Sequence, residues 1–215
     1  MIEYIELKNL LPEAFKQQDK IESDVWHQVM RFDKKKIHLI KAVSGAGKSS
    51  LCAYLYGERT DYQGIITFNG SNIATFSNKK WVDIRRNYLS IIFQDLRLFP
   101  ELSAMENIQI KNSLTHHKKK KEILGWFERL NLEKHTDQPV GKLSFGQQQR
   151  VAFIRALCQP FDFILLDEPV SHLDKDNAAI MAQILMEEFE KSSFGIIITS
   201  IGKELELPYD YIMSL

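Results

Sequence analysis

The run Ile37-His38-Leu39-Ile40-Lys41-Ala42-Val43-Ser44-Gly45-Ala46-Gly47-Lys48-Ser49-Ser50 decides the fold. Residues 37–42 form a short apolar run of strand type, 44–47 are glycine-rich, and 51–56 carry a helical pattern. Strand, glycine loop and helix in that order make a phosphate cradle. The glycines let backbone N–H groups converge on phosphate oxygens, and the helix N-terminus adds positive potential. Ser44, Gly45, Ala46, Gly47 and Ser50 line such a loop, Lys48 reaches the β- and γ-phosphates, and the Ser49 hydroxyl is a ligand for Mg²⁺. One position departs from the pattern G-x-x-x-x-G-K-[ST], which asks for glycine where this chain has Ala42. Alanine is the least disruptive substitute provided φ there is negative.

Outward from this unit, residues 2–7 alternate apolar and polar like a strand, 64–68 read as a strand ending in the tight turn Asn69-Gly70, and 89–93 read as another. From about 95 to 142 the spacing turns helical, with Ile123, Leu124, Phe127 and Leu130 on one stripe and no strand pattern. This is an inserted helical lobe. Strand-like runs return at 161–166, 195–199 and 209–215, separated by helical stretches at 147–157 and 175–189. Strands alternating with helices imply an α/β fold with a parallel sheet.

The chain has 215 residues, enough for one domain with a lobe. Its 28 basic and 28 acidic side chains cancel, which argues against a surface built to hold nucleic acid or anionic membrane. Apolar residues make up 44% and charged ones 26%, so disorder is excluded as the main state. No apolar run approaches the ~20 residues that span a bilayer, and the N-terminus lacks a signal-peptide pattern. A cytosolic protein is expected, with Cys52 and Cys158 reduced. The run His116-His117-Lys118-Lys119-Lys120-Lys121 has no interleaved aromatic residues and reads as a solvated helix start.

Phe163-Ile164-Leu165-Leu166-Asp167-Glu168-Pro169 is a buried parallel strand that delivers two carboxylates at its C-terminal end, where α/β folds place chemistry. Asp167 suits Mg²⁺, and Glu168 suits a base that orients or deprotonates an attacking water. Leu143-Ser144-Phe145-Gly146-Gln147 stands between the phosphate loop and this strand. The pattern L-S-x-G-Q arises by chance about once in 10⁵ start positions. Ser144, with the N–H groups that open the following helix, makes a second anion site. Two phosphate sites distant in one chain imply that two copies sandwich two nucleotides head to tail.

With these motifs in place, the chain resembles the ATP-binding cassette (ABC) ATPases, the nucleotide-binding subunits of ABC transporters, over essentially its whole length. Residues 44–50 resemble their Walker A loop, 163–168 Walker B, 143–147 the signature, and Ser171-His172-Leu173-Asp174 the D-loop. Gln94 matches the Q-loop glutamine, which in the family contacts Mg²⁺ and senses the membrane partner. The stretches Phe93 to Pro100 and Met105 to Ile108 are similar to cassettes of lipoprotein-release, macrolide-exporter and cell-division systems.

The resemblance implies a P-loop NTPase fold with a parallel-sheet core, an antiparallel β subdomain and a helical subdomain at 95–142, the core comprising 1–94 and 143–215. It implies ATP and Mg²⁺ as ligands, with Lys48, Gln94 and Glu168 catalytic, and Ser49, Gln94 and Asp167 holding the metal. Ser144, Gly146 and Gln147 would come from the second cassette of a homodimer. A separate integral-membrane permease is the other partner, which places the chain peripherally at the inner face of the membrane. The length corresponds to one minimal cassette without a C-terminal regulatory domain.

Three positions depart from the family. Ser200 stands where a switch histidine holds the γ-phosphate, Lys35-Lys36 replaces the usual Gly-Glu pair, and the adenine-stacking aromatic is either Phe15, the better placed, or Trp26. Ser200 opens a second reading, an ATP-gated interaction module with slow or absent hydrolysis. Residues 96–110, mixed apolar and polar, suit either the core or a groove for a helix of the membrane subunit.

Overall fold

Every strand expected from the sequence forms, and residue alternation within the strands decides which face each side chain takes. The computed structural model describes residues 1–17 and 21–215. Tyr4–Pro12 (β1), Val29–Asp33 (β2) and Ile37–Lys41 (β3) precede the helix Lys48–Leu55 (α1). Tyr62–Phe68 (β4), Ser71–Asn72 (β5) and the helix Asn78–Asn87 (α2) follow. Leu89–Ile92 (β6) leads into Ala104–Asn112 (α3) and Lys120–Arg129 (α4). Phe145–Leu157 (α5), Phe163–Asp167 (β7), Lys175–Ser192 (α6), Gly195–Ser200 (β8) and Tyr211–Ser214 (β9) complete the order.

One sheet is antiparallel, in the order β2-β1-β4-β5; the other is parallel, in the order β6-β7-β8-β3-β9. Asn69 and Gly70 take positive φ (49° and 76°), the backbone of a tight hairpin turn, and join β4 to β5. All of β7 and β8 is buried, as parallel strands are when layers cover both faces. Ile37, Leu39, Ile164, Leu166, Ile196 and Ile198 pack toward the helical layer with Ile154, Leu157, Ile184 and Leu185. Ile40, Leu165 and Ile197, one position along, pack toward α1 and the antiparallel sheet with Leu51, Leu55, Ile5 and Ile66. Period two thus splits one sheet between two cores, each fully buried aliphatic contributing about 1.5–3 kcal/mol.

Residues 95–142 hold α3 and α4 and, apart from an isolated bridge between Ser103 and Pro139, no strand. Ser103 and Glu106 form a reciprocal capping box at the start of α3. Buried Asn107 accepts from the Phe99 N–H and donates to the Phe99, Leu102 and Ser103 carbonyls, which pins the incoming loop. The stretch 96–110 is divided: Leu96 and Ile108 are core while Phe99 and Ile110 stay exposed. On α4 the apolar stripe runs through Ile123, Trp126, Phe127 and Leu130; Leu124, expected on it, is exposed. The basic run supplies Lys119 as N-cap of α4, and Lys118 pairs with buried Glu188. Cys52 and Cys158 are free and buried, and burial pushes the Cys158 thiol up to about 12.

Three elements escape the sequence reading: β2, the two-residue β5 and α2. Only Phe32 of β2 is buried, so the strand has no pattern of its own and exists by pairing with β1. Helix α2 buries only Ile84 outright, is capped by Ser77, and wedges Trp81 against Phe68 and Phe76.

His38 points from β3 into the space between the sheets, 5.0 Å from the rings of Phe32 and Tyr211. Neither nitrogen meets a well-formed hydrogen bond. Burial lowers its pKa to about 4, and the nearby Ile196 backbone opposes this without reversing it. Below the unfolded value of 6.5 the unfolded chain therefore binds a proton that the native one refuses. Stability should fall as pH drops from 6.5 to 4, by up to about 3 kcal/mol from this residue. Denaturant unfolding of His38→Leu should show a flatter pH profile across that window than the wild type, whereas identical slopes would remove His38 as the cause.

Candidate active site

The strand order sets β3, β8, β7 and β6 side by side, so the segments that leave their C-terminal ends meet. Gly45 and Gly47 take φ of 84° and 95°, which β-carbon-bearing residues rarely adopt, and Gly47 is the N-cap of α1. A Cβ on Gly47 would lie 2.9 Å from Trp26 and 3.1 Å from Phe15, so no larger residue fits. The Trp26 indole donates to the Ala46 carbonyl at 3.0 Å and is 1% exposed, a brace behind the loop. Ala42 has no positive φ, which accommodates its methyl, and its N–H donates to the Ser200 carbonyl.

Lys48 is buried; its ammonium donates to the Val43 carbonyl at 3.2 Å and lies 3.7 Å from the Glu168 carboxylate. Glu168 sits at φ 50°, a left-handed backbone held by its N–H donating to the Thr199 carbonyl. The adjacent Asp167 faces inward and accepts from the Thr199 hydroxyl at 2.5 Å. Gln94 comes from the segment after β6, its side-chain oxygen accepting from the Ser49 hydroxyl at 3.1 Å.

Phe15, Ser44, Gly45, Gly47, Lys48, Ser49, Ser50, Gln94 and Glu168 line one cleft of about 290 Å³. Asp167 lies in an adjoining hollow that shares Ser49 and Gln94. Ala46 contributes its backbone brace to Trp26 rather than a wall of the cleft. The oxygens of Ser49, Gln94 and Asp167 are hard donors of the kind Mg²⁺ prefers, and one carboxylate suffices where phosphate and water supply the other ligands. Among the described residues no group of three or more His, Cys, Asp or Glu side chains gathers into a metal cage.

Ser144, Gly146 and Gln147 are absent from the cleft lining. Ser144 caps α5, its hydroxyl accepting from the Gln147 N–H while the Gln147 side chain accepts from the Ser144 N–H. The capping bond takes one of the N–H groups that the sequence assigns to anion binding; the hydroxyl proton remains available to donate. Ser200 is buried with its hydroxyl donating to the Lys203 carbonyl at 2.7 Å, and exposed Ile201 takes a place on the cleft wall. Sequence reading missed Thr199 and Ile201. Thr199 pairs in register with Asp167, a signal that requires knowing that β7 and β8 are neighbours.

Of the two aromatic candidates, Phe15 is half-buried on the cleft wall and Trp26 is sealed behind the loop.

The family model for ABC transporters matches residues 28–171. The chain is 34% identical over 177 residues to the lipoprotein-releasing system ATP-binding protein LolD of Buchnera aphidicola subsp. Schizaphis graminum (strain Sg), covering 80% of this chain and 76% of that protein. It is 30% identical over 165 residues to the cell division ATP-binding protein FtsE of Bacillus subtilis (strain 168), covering 75% of this chain and 72% of that protein. The fold matches the dimeric structure of MJ0796, a bacterial ABC transporter cassette, with a TM-score of 0.77 at 24% identity, covering 91% of this chain and 87% of that one.

The two aromatics should separate cleanly in nucleotide titration and thermal melts. Phe15→Ala should weaken ATP binding roughly tenfold with little change in Tm, as loss of one base-stacking surface does. Trp26→Ala should cost about 3–5 kcal/mol of stability, as removal of a buried aromatic does. The reverse pattern would assign the stacking to Trp26.

Proposed function

The chain belongs to the ABC transporter family and is an ATP-binding ATPase cassette, and from that premise we propose that two copies close around two Mg-ATP and drive a separate membrane permease. The observation that carries this reading is the division of the site. Phosphate loop, Lys48, Gln94 and Glu168 share a cleft, while Ser144, Gly146 and Gln147 lie outside it on the same chain. A second copy, placed head to tail, would bring each half to the other. Residues 1–94 and 143–215 form the ATP-binding core in this reading, and 95–142 the helical subdomain.

In each cleft Phe15 stacks on adenine, and the loop 44–50 wraps the phosphates with its N–H groups. Lys48 transfers its ammonium from the Val43 carbonyl and the neighbourhood of Glu168 to the phosphate oxygens. Glu168 is thereby released to accept a proton from the attacking water. Ser49, Gln94 and Asp167 would hold Mg²⁺, which when bound neutralises charge on the β- and γ-phosphate oxygens. Ser144 of the opposite copy donates its hydroxyl proton to the terminal phosphate.

Docking of the permease is supported by a hollow of about 210 Å³ between core and helical subdomain, lined by Tyr56, Phe93, Ile110, Lys111, Arg97 and Arg155 among others. Among the described residues no carboxylate lines it. Burial, then the Arg155 and Arg85 charges, lower the Lys111 pKa to about 8, so an acidic partner side chain is favoured there. No helix among the described residues is long and apolar enough to cross a membrane. Attachment through the permease would hold the chain at the cytoplasmic face.

The second reading, a gated module with slow turnover, is favoured by the inward-turned hydroxyl of Ser200. Ser200→His should raise turnover strongly under that reading and change it little otherwise. For the ATPase itself, Glu168→Gln should lower steady-state hydrolysis by about 10²–10⁴, the usual share of a general base. The same variant should accumulate an ATP-dependent dimer in size-exclusion chromatography. Unchanged hydrolysis would strip Glu168 of the role of base.

A further inference from the structure

Among the described residues that line the cleft, Lys48 is the single cationic side chain, and no histidine accompanies it. Beside it are the neutral donors of Ser44, Ser49, Ser50 and Gln94, the Glu168 carboxylate, and the apolar side chain of Ile201. Phosphoryl transfer spreads negative charge over the equatorial oxygens of the terminal phosphate, and enzymes commonly supply a further donor there, in cis or from a second subunit. At the end of β8 both hydroxyls are spent, that of Thr199 on Asp167 and that of Ser200, 1% exposed, on the Lys203 carbonyl. Among the described residues, the cleft of a single copy thus offers one cation, and the end of β8 adds no further donor to it.

The loop after β7 carries an unused one. His172 is exposed, and its ring packs against exposed Phe145 with centroids 4.4 Å apart. Its carbonyl lies 3.0 Å from the point a Cβ on Gly146 would occupy, so the loop rests directly on the 144–147 segment. Buried Gln149 locks the two together. Its side-chain oxygen accepts from the His172 N–H at 3.2 Å, and its amide nitrogen donates to the Ser171 hydroxyl at 3.1 Å and to the Glu168 carbonyl at 3.4 Å. Wherever Ser144 and Gly146 go, His172 goes with them.

The same bonds accommodate the Nε2–H tautomer of the ring. A backbone N–H only donates, which orients the Gln149 amide; its NH₂ then makes Ser171 Oγ an acceptor. The Ser171 hydroxyl keeps its proton and can donate it to His172 Nδ1, 2.9 Å away. With Nδ1 accepting, the neutral imidazole carries its proton on Nε2 and is a donor without needing a charge.

We propose that His172 of each copy enters the nucleotide cleft of the other and donates from Nε2–H to the terminal phosphate of ATP, supplying in trans the donor that Ser200 does not supply in cis. The proposal rests on the two-copy reading above, with Gln149 and Ser171 as positioning residues. No covalent step is involved.

His172→Ala and His172→Phe should each lower ATP turnover by roughly 10²–10³, the range for loss of one transition-state donor. His172→Phe retains the packing on Phe145, and both variants should keep the wild-type Tm because the side chain is exposed. Mixing distinguishes trans from cis. Lys48→Ala and His172→Ala should each be nearly inactive alone, but a 1:1 mixture should recover about a quarter of wild-type activity, since half the dimers then hold one intact composite site. Wild-type turnover in both His172 variants overturns the proposal. So does a mixture that shows no recovery while size-exclusion chromatography shows ATP-dependent mixed dimers. If the wild type and Glu168→Gln form no dimer with ATP at all, the two-copy reading falls, and this inference with it.

Discussion

The parallel register of the central sheet is the constraint on which the site depends. β8 lies between β7 and β3, pairing Asp167 with Thr199 on one side and Lys41 with Ser200 on the other. Because all these strands run the same way, the phosphate loop, the two carboxylates and the 200–201 segment emerge at one edge. The Thr199 hydroxyl then finds Asp167, the Ala42 N–H finds the Ser200 carbonyl, and the Glu168 N–H finds the Thr199 carbonyl. A single-residue slip of β8 would break all three contacts and turn its aliphatic side chains to the wrong core.

Electrostatics complete what the register begins. Lys48 is buried, with the Val43 carbonyl and the Glu168 carboxylate as its polar neighbours among the described residues, so cation and carboxylate lie close together. A polyphosphate is a stronger partner for the ammonium than a single carboxylate 3.7 Å away, so in the proposed mechanism its arrival separates the two. The left-handed backbone at Glu168 is strain held in place by the neighbouring strand, which aims the carboxylate at the cleft while Asp167 points inward. Two adjacent acids thereby acquire different environments.

Legibility followed the origin of each signal. The glycine loop was readable because its φ values admit little else, and the strands β3, β7 and β8 because burial on both faces demands unbroken apolar runs. β2 and α2 were not readable, since one buried residue in each leaves no periodicity; pairing with β1 and the Trp81 wedge create them. Leu124 fits the helical stripe as well as Trp126 does on paper, and only packing chose between them.

For the site, the residue types and their order along the chain, loop, glutamine, signature, paired acids, were determined by the sequence, because phosphate chemistry restricts which side chains can serve. Orientation was decided by tertiary structure alone. Nothing in the order of residues says that Phe15 lines the cleft while Trp26 braces it, that Ser144 caps its own helix, or that Ser200 turns toward Lys203. Nor does it say that Gln149 fastens His172 to the 144–147 segment. Each outcome depends on hydrogen bonds and contacts between segments far apart in the chain, which exist only once the sheet order and the helices over it are in place.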